Sequence, residues 1–145
     1  MQTEIWKPIN GYNGYYEVSN LGRVRSVTRK IERSNPFKPN QKNLYTYKGK
    51  LILFWITKKG YLRCSLCING NKKNFLVHRL VADAFIENKN KHKQVNHINC
   101  IKTDNNIKNL EWCTNYENYL HSVKMGKQNN SHKSGGFRNM DNYGK

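Results

Sequence analysis

The alternation of apolar and polar residues divides the chain into three patterned segments and a polar tail. In "EIWKPINGYNGYYEVSNLGRVRSVTRK", Tyr16 and Val18 alternate with polar neighbours, and after a turn at Ser19 to Gly22 the order Arg23, Val24, Arg25 repeats the alternation. A period of two on either side of a glycine-containing turn predicts a β-hairpin with Val24 on one face and Arg23 and Arg25 on the other. Residues 31–50, "IERSNPFKPNQKNLYTYKGK", hold two of the three prolines and little periodicity, which reads as a loop or insertion. From Leu51, "LILFWITKKGYLRCSLCINGNKKNFLVHRLVADAF" is the most apolar part of the chain. Its Asn69-Gly70 pair predicts a tight turn within a hairpin from about Leu62 to Leu76. Leu80, Val81, Ala84 and Phe85 then recur at three-to-four spacing and predict a short helix.

A short charged linker, "IENKNKHK", leads to "QVNH" and "NLEWCT", which read as two strands separated by an Asn-rich connection. "NYENYLHSVKMG" reads as a helix ending near Gly126. The pattern as a whole predicts the α+β class. A small N-terminal β-hairpin module spans residues 1–30, a loop or insertion 31–50, and a hairpin, helix, strand pair and final helix 51–126. The remainder, 127–145, has almost no apolar content and is expected to be a flexible basic tail, or an arm that orders on DNA.

Composition narrows the partners. Lys and Arg number 26 against 9 acidic residues, giving a formal charge of +17 and a pI of about 9.9. Such a surplus repels itself unless a polyanion neutralises it, and nucleic acid is the commonest such partner. Nine Tyr, five Phe and three Trp, spread along the chain, argue for folded modules rather than a disordered basic segment. No apolar run approaches the roughly 20 residues of a membrane span, and the N-terminus lacks the basic start and apolar run of a secretory signal. The expected location is the cytoplasm, with no membrane partner. Cys64 and Cys67 form a C-x-x-C pair, but Cys100 and Cys113 lie 13 apart and do not form a second knuckle. Within a strand, residues three apart point to opposite faces. Structural zinc is therefore not expected, and reduced, partly buried thiols are the expectation.

Asparagine is abundant, 22 of 145 residues, so an Asn-rich loop carries little information by itself. The stretch from Asn96 to Asn118 nevertheless contains the parts for phosphodiester hydrolysis. A neutral His suits the base that activates water, because its ordinary pKa, roughly 6.5, lies close to working pH. Amide and carboxylate oxygens suit a hard cation such as Mg²⁺.

The segment "VNHINCIKTDNNIKNLEWCTNYEN" resembles the ββα-metal motif of the HNH homing endonucleases of phages and mobile introns. "FLVHRLVADAF" resembles the segment that precedes the motif, and "EIWKPINGYNGYYEVSNLGRVRS" resembles a small nuclease-associated DNA-binding module. The likeness covers roughly residues 4 to 30 and 60 to 126. It rests on Trp6, Gly11, Tyr16, Val18, Gly22, His78, Arg79, Phe85, His97, Leu110 and Trp112 rather than on asparagine alone.

The resemblance implies a metal-dependent DNA endonuclease using Mg²⁺ or Mn²⁺, acting on double-stranded DNA as a monomer or weak dimer. His97 corresponds to the general base and Asn109 to the central Asn that braces the loop between the strands. Asn118 and Asn96 occupy the metal positions, with His121, one turn after Asn118, a possible third ligand. Arg23, Arg25, Arg29, Lys30, His78, Arg79 and Lys102 are candidate DNA contacts; for His78 a packing role comes first.

Two departures from the family pattern matter. Asn96 stands where relatives commonly have Asp, and an amide oxygen is a weaker donor to Mg²⁺ than a carboxylate. Asn96 and His97 are also neighbours on a strand, so they can serve one phosphate only if the strand ends or bulges there. A shortened C-terminus relative to many members suggests a short, permissive recognition site, and one ββα site suggests nicking. The competing reading is a DNA-binding or regulatory protein on an inactive HNH scaffold; an RNA-binding basic module leaves the His97 to Asn118 spacing unexplained.

Overall fold

The computed structural model describes residues 2–126; the expected tail, 127–145, lies outside them. Strands β1 (Trp6–Pro8), β2 (Tyr16–Ser19) and β3 (Val24–Ser26) form an antiparallel sheet in that order. The β2–β3 hairpin lies where alternation placed it, with Val18 paired to Val24 and both fully buried. Ser19 closes its turn: the hydroxyl accepts from the backbone N–H groups of Leu21 at 3.3 Å and Arg23 at 3.0 Å. Gly22 completes it at φ +84°, a backbone conformation that costs an L side chain energy.

Residues 31–50 depart from the loop expectation. β4 (Arg29–Asn35) and β5 (Lys38–Tyr47) pair along nearly their full length, turning at Pro36–Phe37 with a register shift at Ser34/Asn35. The reason the pattern missed this hairpin is physical. Strand alternation arises when one face is buried and the other wet, whereas neither face of β4 carries a buried residue. Without burial there is no selection for period two.

β6 (Trp55–Ile56), β7 (Leu62–Ile68) and β8 (Asn71–Leu76) form a second three-stranded antiparallel sheet. The β7–β8 turn has Asn69 at φ 50° and Gly70 at φ 78°, the two positive values a type I′ hairpin requires. Cys64 is buried and Cys67 exposed, as their spacing on β7 predicts; burial pushes the Cys64 thiol up to about 11. β8 runs directly into α1 (Val77–Phe85), whose Val77, Leu80 and Val81 form the buried stripe. Then come β9 (Gln94–His97), a short 3-10 turn at Ile107–Asn109, β10 (Leu110–Cys113) and α2 (Asn115–Lys124).

One hydrophobic cluster joins these parts. Val18 and Val24 of the first sheet, Leu66 of β7, Val77 and Val81 of α1, Val95 of β9 and Leu110 of β10 all belong to it. Full burial of each such side chain contributes roughly 1.5–3 kcal/mol. Tyr16 fastens the first sheet to the second, its hydroxyl donating to Cys67 O at 3.0 Å and accepting from Cys67 N–H at 3.2 Å. No helix among the described residues is long and apolar enough to cross a membrane.

Candidate active site

β9 and β10 pair in regular register, Asn96 opposite Glu111 and His97 opposite Leu110. The strand ends at His97, where a tight turn follows: Cys100 N–H donates to His97 O at 2.8 Å, and Cys100 itself sits at φ 58°. Asn96 and His97 therefore begin on opposite faces. Asn96 Nδ2 donates to Glu111 Oε1 at 2.8 Å, while the His97 ring lies over α1, 5.0 Å from the ring of His78 and 6.0 Å from Tyr61. Both residues nonetheless border one cleft. This cleft, of about 450 Å³, is bounded also by Tyr61, Cys100, Lys102, Asn118 and His121.

The connection between the strands is held by its own side chains. Asn109 Oδ1 accepts from Asn99 N–H and its Nδ2 donates to Asp104 O, each at 2.8 Å, so one amide ties both limbs of the loop. Asn99 Nδ2 donates to Asp104 Oδ2 at 2.8 Å, and Asn106 Oδ1 accepts from Lys108 N–H at 3.0 Å. α2 starts with a capping box: Thr114 Oγ1 accepts from Glu117 N–H, and the Glu117 carboxylate accepts from Thr114 N–H. This cap fixes where the helix begins, and Asn118 and His121 reach the cleft from it. His121 Nδ1 lies 3.6 Å from Cys100 Sγ.

His97 is buried, and its Nε2 lies 3.0 Å from Asn105 Oδ1. Desolvation lowers its pKa; the Asn105 hydrogen bond and Asp104 oppose that, and Lys102 adds to it. Burial thus favours the neutral form of the ring. His78 is shifted further, down to about 3, chiefly by burial and then by His97 and Arg79.

The other candidates are scattered. His78 is buried beneath His97 and is not a surface group available to DNA; the helix direction that turns it inward was not visible in the linear pattern. Arg23 and Arg25 do not form a free basic edge. Glu4 pairs with Arg23, Glu17 stands directly opposite Arg25 and binds it at 2.7 Å, and both guanidinium groups lie over Trp6. Arg29 stacks on Tyr15 at 4.7 Å, and Lys30 is exposed on β4. Arg79 donates to Lys93 O, and Lys102 sits over Tyr61 while donating to Lys59 O at 2.9 Å. Asn105, Tyr61 and Glu111 touch site residues without having been singled out. Nothing in the sequence distinguishes Asn105 from the other loop asparagines.

Comparison with known proteins identifies two matched regions: residues 4–67 with the NUMOD4 motif and residues 75–120 with the HNH endonuclease family. The chain carries an HNH endonuclease domain behind a NUMOD4 motif. An uncharacterized HNH endonuclease of Acanthamoeba polyphaga mimivirus is 42% identical over 83% of this chain and 30% of its own length. DNA endonuclease I-HmuI of Bacillus phage SP01 is 35% identical over 86% of this chain and 60% of its own. A solved structure describing DNA binding and cleavage by the HNH homing endonuclease I-HmuI superposes with a TM-score of 0.67 at 34% identity, over 86% of this chain and 61% of that one. The chain thus spans less than two thirds of these relatives. The α+β architecture expected from the pattern agrees with this match.

Proposed function

We propose that this HNH chain is a DNA endonuclease that hydrolyses phosphodiester bonds with the help of a divalent cation, Mg²⁺ or Mn²⁺. The observation carrying the reading is the convergence of His97, Asn96, Asn118, His121 and Lys102 on one cleft, from three separate elements. Its substrate is double-stranded DNA, drawn by the basic surface. With one ββα site, a single copy nicks one strand at a time.

His97, neutral by burial, takes a proton from a water in the cleft. Asn96 and Asn118 fit a hard cation as oxygen donors: Asn96 gives its Nδ2 to Glu111 and has Oδ1 left for a ligand, with the Glu111 carboxylate one hydrogen bond behind it. The cation, when bound, stabilises charge developing on the phosphate and the leaving oxygen. Asn109 ties together the two limbs of the loop that follows His97. Lys102 supplies positive charge at the mouth of the cleft, and Arg29, Lys30 and Arg79 supply it elsewhere.

The test is supercoiled-plasmid nicking with Mg²⁺ or Mn²⁺, comparing the natural chain with His97→Ala. Cleavage by the former and not the latter is the expected result. Equal cleavage by both removes His97 from the reaction. DNA binding with no cleavage by either would support the rival reading, a non-catalytic DNA-binding protein, for which the neutral Asn96 is the favouring observation.

A further inference from the structure

The residue hydrogen-bonded to His97 is itself packed against the N-terminal module. The Ser19–Gly22 turn of the β2–β3 hairpin lies directly against the loop between β9 and β10. Ile107 N–H donates to Asn20 O at 2.9 Å, and Asn106 Nδ2 donates to Gln2 Oε1 at 3.1 Å. Just before these two anchors in the chain, Asn105 is packed onto Gly22. A Cβ at position 22 would fall 2.7 Å from Asn105 Cβ and 3.0 Å from Asn105 O, closer than side chains tolerate. Asn20 is in turn locked by its own amide, which accepts from Ile5 N–H at 2.8 Å and donates to Thr3 O at 3.0 Å.

Burial and hydrogen bonding around His97 give this packing a chemical meaning. Asn105 is 3% exposed and places Oδ1 at 3.0 Å from His97 Nε2. An acceptor there requires the imidazole proton on Nε2, which leaves the Nδ1 lone pair for a proton from water. The other groups facing the ring are His78 from α1, Tyr61 from the turn before β7, and Asp104 and Lys102 of the loop. None of these four is hydrogen-bonded to either ring nitrogen among the described residues. The arrangement is also unfavourable for stability taken alone. Asn105 Nδ2 and His78 Nδ1 are buried without a hydrogen-bond partner among the described residues, and a buried unsatisfied polar atom is destabilising. Such a cost, placed beside a reactive imidazole, is what a positioning role would leave behind.

We infer that Asn105 is the positioning residue that sets the His97 tautomer, and that the N-terminal module, through Gly22, holds Asn105 in place. The NUMOD4 region is then part of the scaffold of the reaction centre as well as a DNA-binding element. The inference rests on His97 being the base, so its principal readout is chosen to be independent of cleavage.

That readout is the histidine tautomer in the full chain, from long-range ¹H–¹⁵N correlation of ¹⁵N-histidine-labelled protein. The natural chain is expected to show His97 protonated on Nε2; protonation on Nδ1 overturns the assignment. Asn105→Leu, which keeps volume without an acceptor, should give a tautomer mixture and lower single-turnover cleavage on the order of 10- to 100-fold with DNA affinity unchanged. Asn105→Asp, which restores an acceptor, should recover the Nε2 tautomer. An Asn105→Leu protein with the natural tautomer and rate overturns the positioning role.

Gly22→Ala tests the link to the N-terminal module and should move the tautomer in the same direction. Gly14→Ala is its control, since Gly14 has φ +77° but open space around it. It shares the backbone strain without the contact. A tautomer change in both glycine variants, or in neither, overturns the clamp. If His97→Ala still cleaves DNA while these tautomer results hold, the catalytic reading fails and the structural link stands.

Discussion

The two hairpins β4–β5 and β9–β10 use the same backbone bonding for opposite ends. The first is long, seven residues against ten, wet on both faces of β4, and carries its cations on stacked aromatics: Arg29 over Tyr15, and Arg33 5.1 Å over Tyr47. The second is four residues against four, and it buries Asn96, His97, Asn105 and Asn109 in or beside itself. A long exposed ribbon can follow a polyanion and tolerate local movement. The reaction centre proposed for the second could not, because a base must stay within reach of one atom. The short hairpin achieves this by hydrogen-bonding nearly every loop amide and by resting on α1 and on the N-terminal turn.

Four outcomes test this contrast. The largest concerns its two ends together. His97→Ala should lower cleavage on the order of 10²- to 10⁴-fold and leave DNA affinity intact. Arg29→Ala, Lys30→Ala and Arg33→Ala combined should weaken binding and flatten its salt dependence by about one unit of slope for each phosphate that is no longer neutralised. The rate at saturating DNA should be kept. If the hairpin variant instead turns over more slowly at saturation, the division of labour is wrong.

Next in size is acid sensitivity. Burial depresses the pKa of both His78 and His97, so the unfolded chain takes up protons that the folded chain refuses. The stability is therefore complete above about pH 6.5 and is lost as pH falls toward about 3, with a slope for His78 approaching about 1.4 kcal/mol per pH unit. Urea midpoints measured between neutral pH and pH 4 check this; a flat profile would mean that the two rings are hydrated.

Asn109→Ala removes both amide bonds that join the limbs of the loop. A stability loss of about 1–3 kcal/mol is expected by denaturant unfolding, with cleavage falling as well. Thr114→Ala removes the cap of α2 and should cost about 1 kcal/mol. Its effect on cleavage should be the smallest of the set, because the later helix residues Asn118 and His121 remain in the helix.

Much was legible wherever burial left a period in the residues. Val18 with Val24, the Asn69-Gly70 turn and the Leu80–Phe85 stripe each encode which face meets the core, and the elements lie there. The β4–β5 ribbon was read as a loop because no core packing imprints alternation on it. At the site, His97, Asn96 and Asn118 could be located by family resemblance, and the structure brings them to one cleft. Asn105 could not be chosen from its neighbours, since its distinguishing property is a contact with Gly22, 83 positions away. The ion pairs of Arg23 and Arg25 were hidden for a similar reason: the carboxylates beside them come from the N-terminal stretch and from β2.

The linear order of residues thus carries the local part: the strands and helices whose faces differ in polarity, the excess of positive charge, and the residue types that phosphodiester chemistry requires. Which of many similar polar groups meet is settled only when the chain packs. A buried asparagine and an exposed one are the same letter, and they differ only in the desolvation and hydrogen bonding that folding imposes. The partner of His97, the neutralised arginines and the seat of the loop on the N-terminal turn are all consequences of that packing.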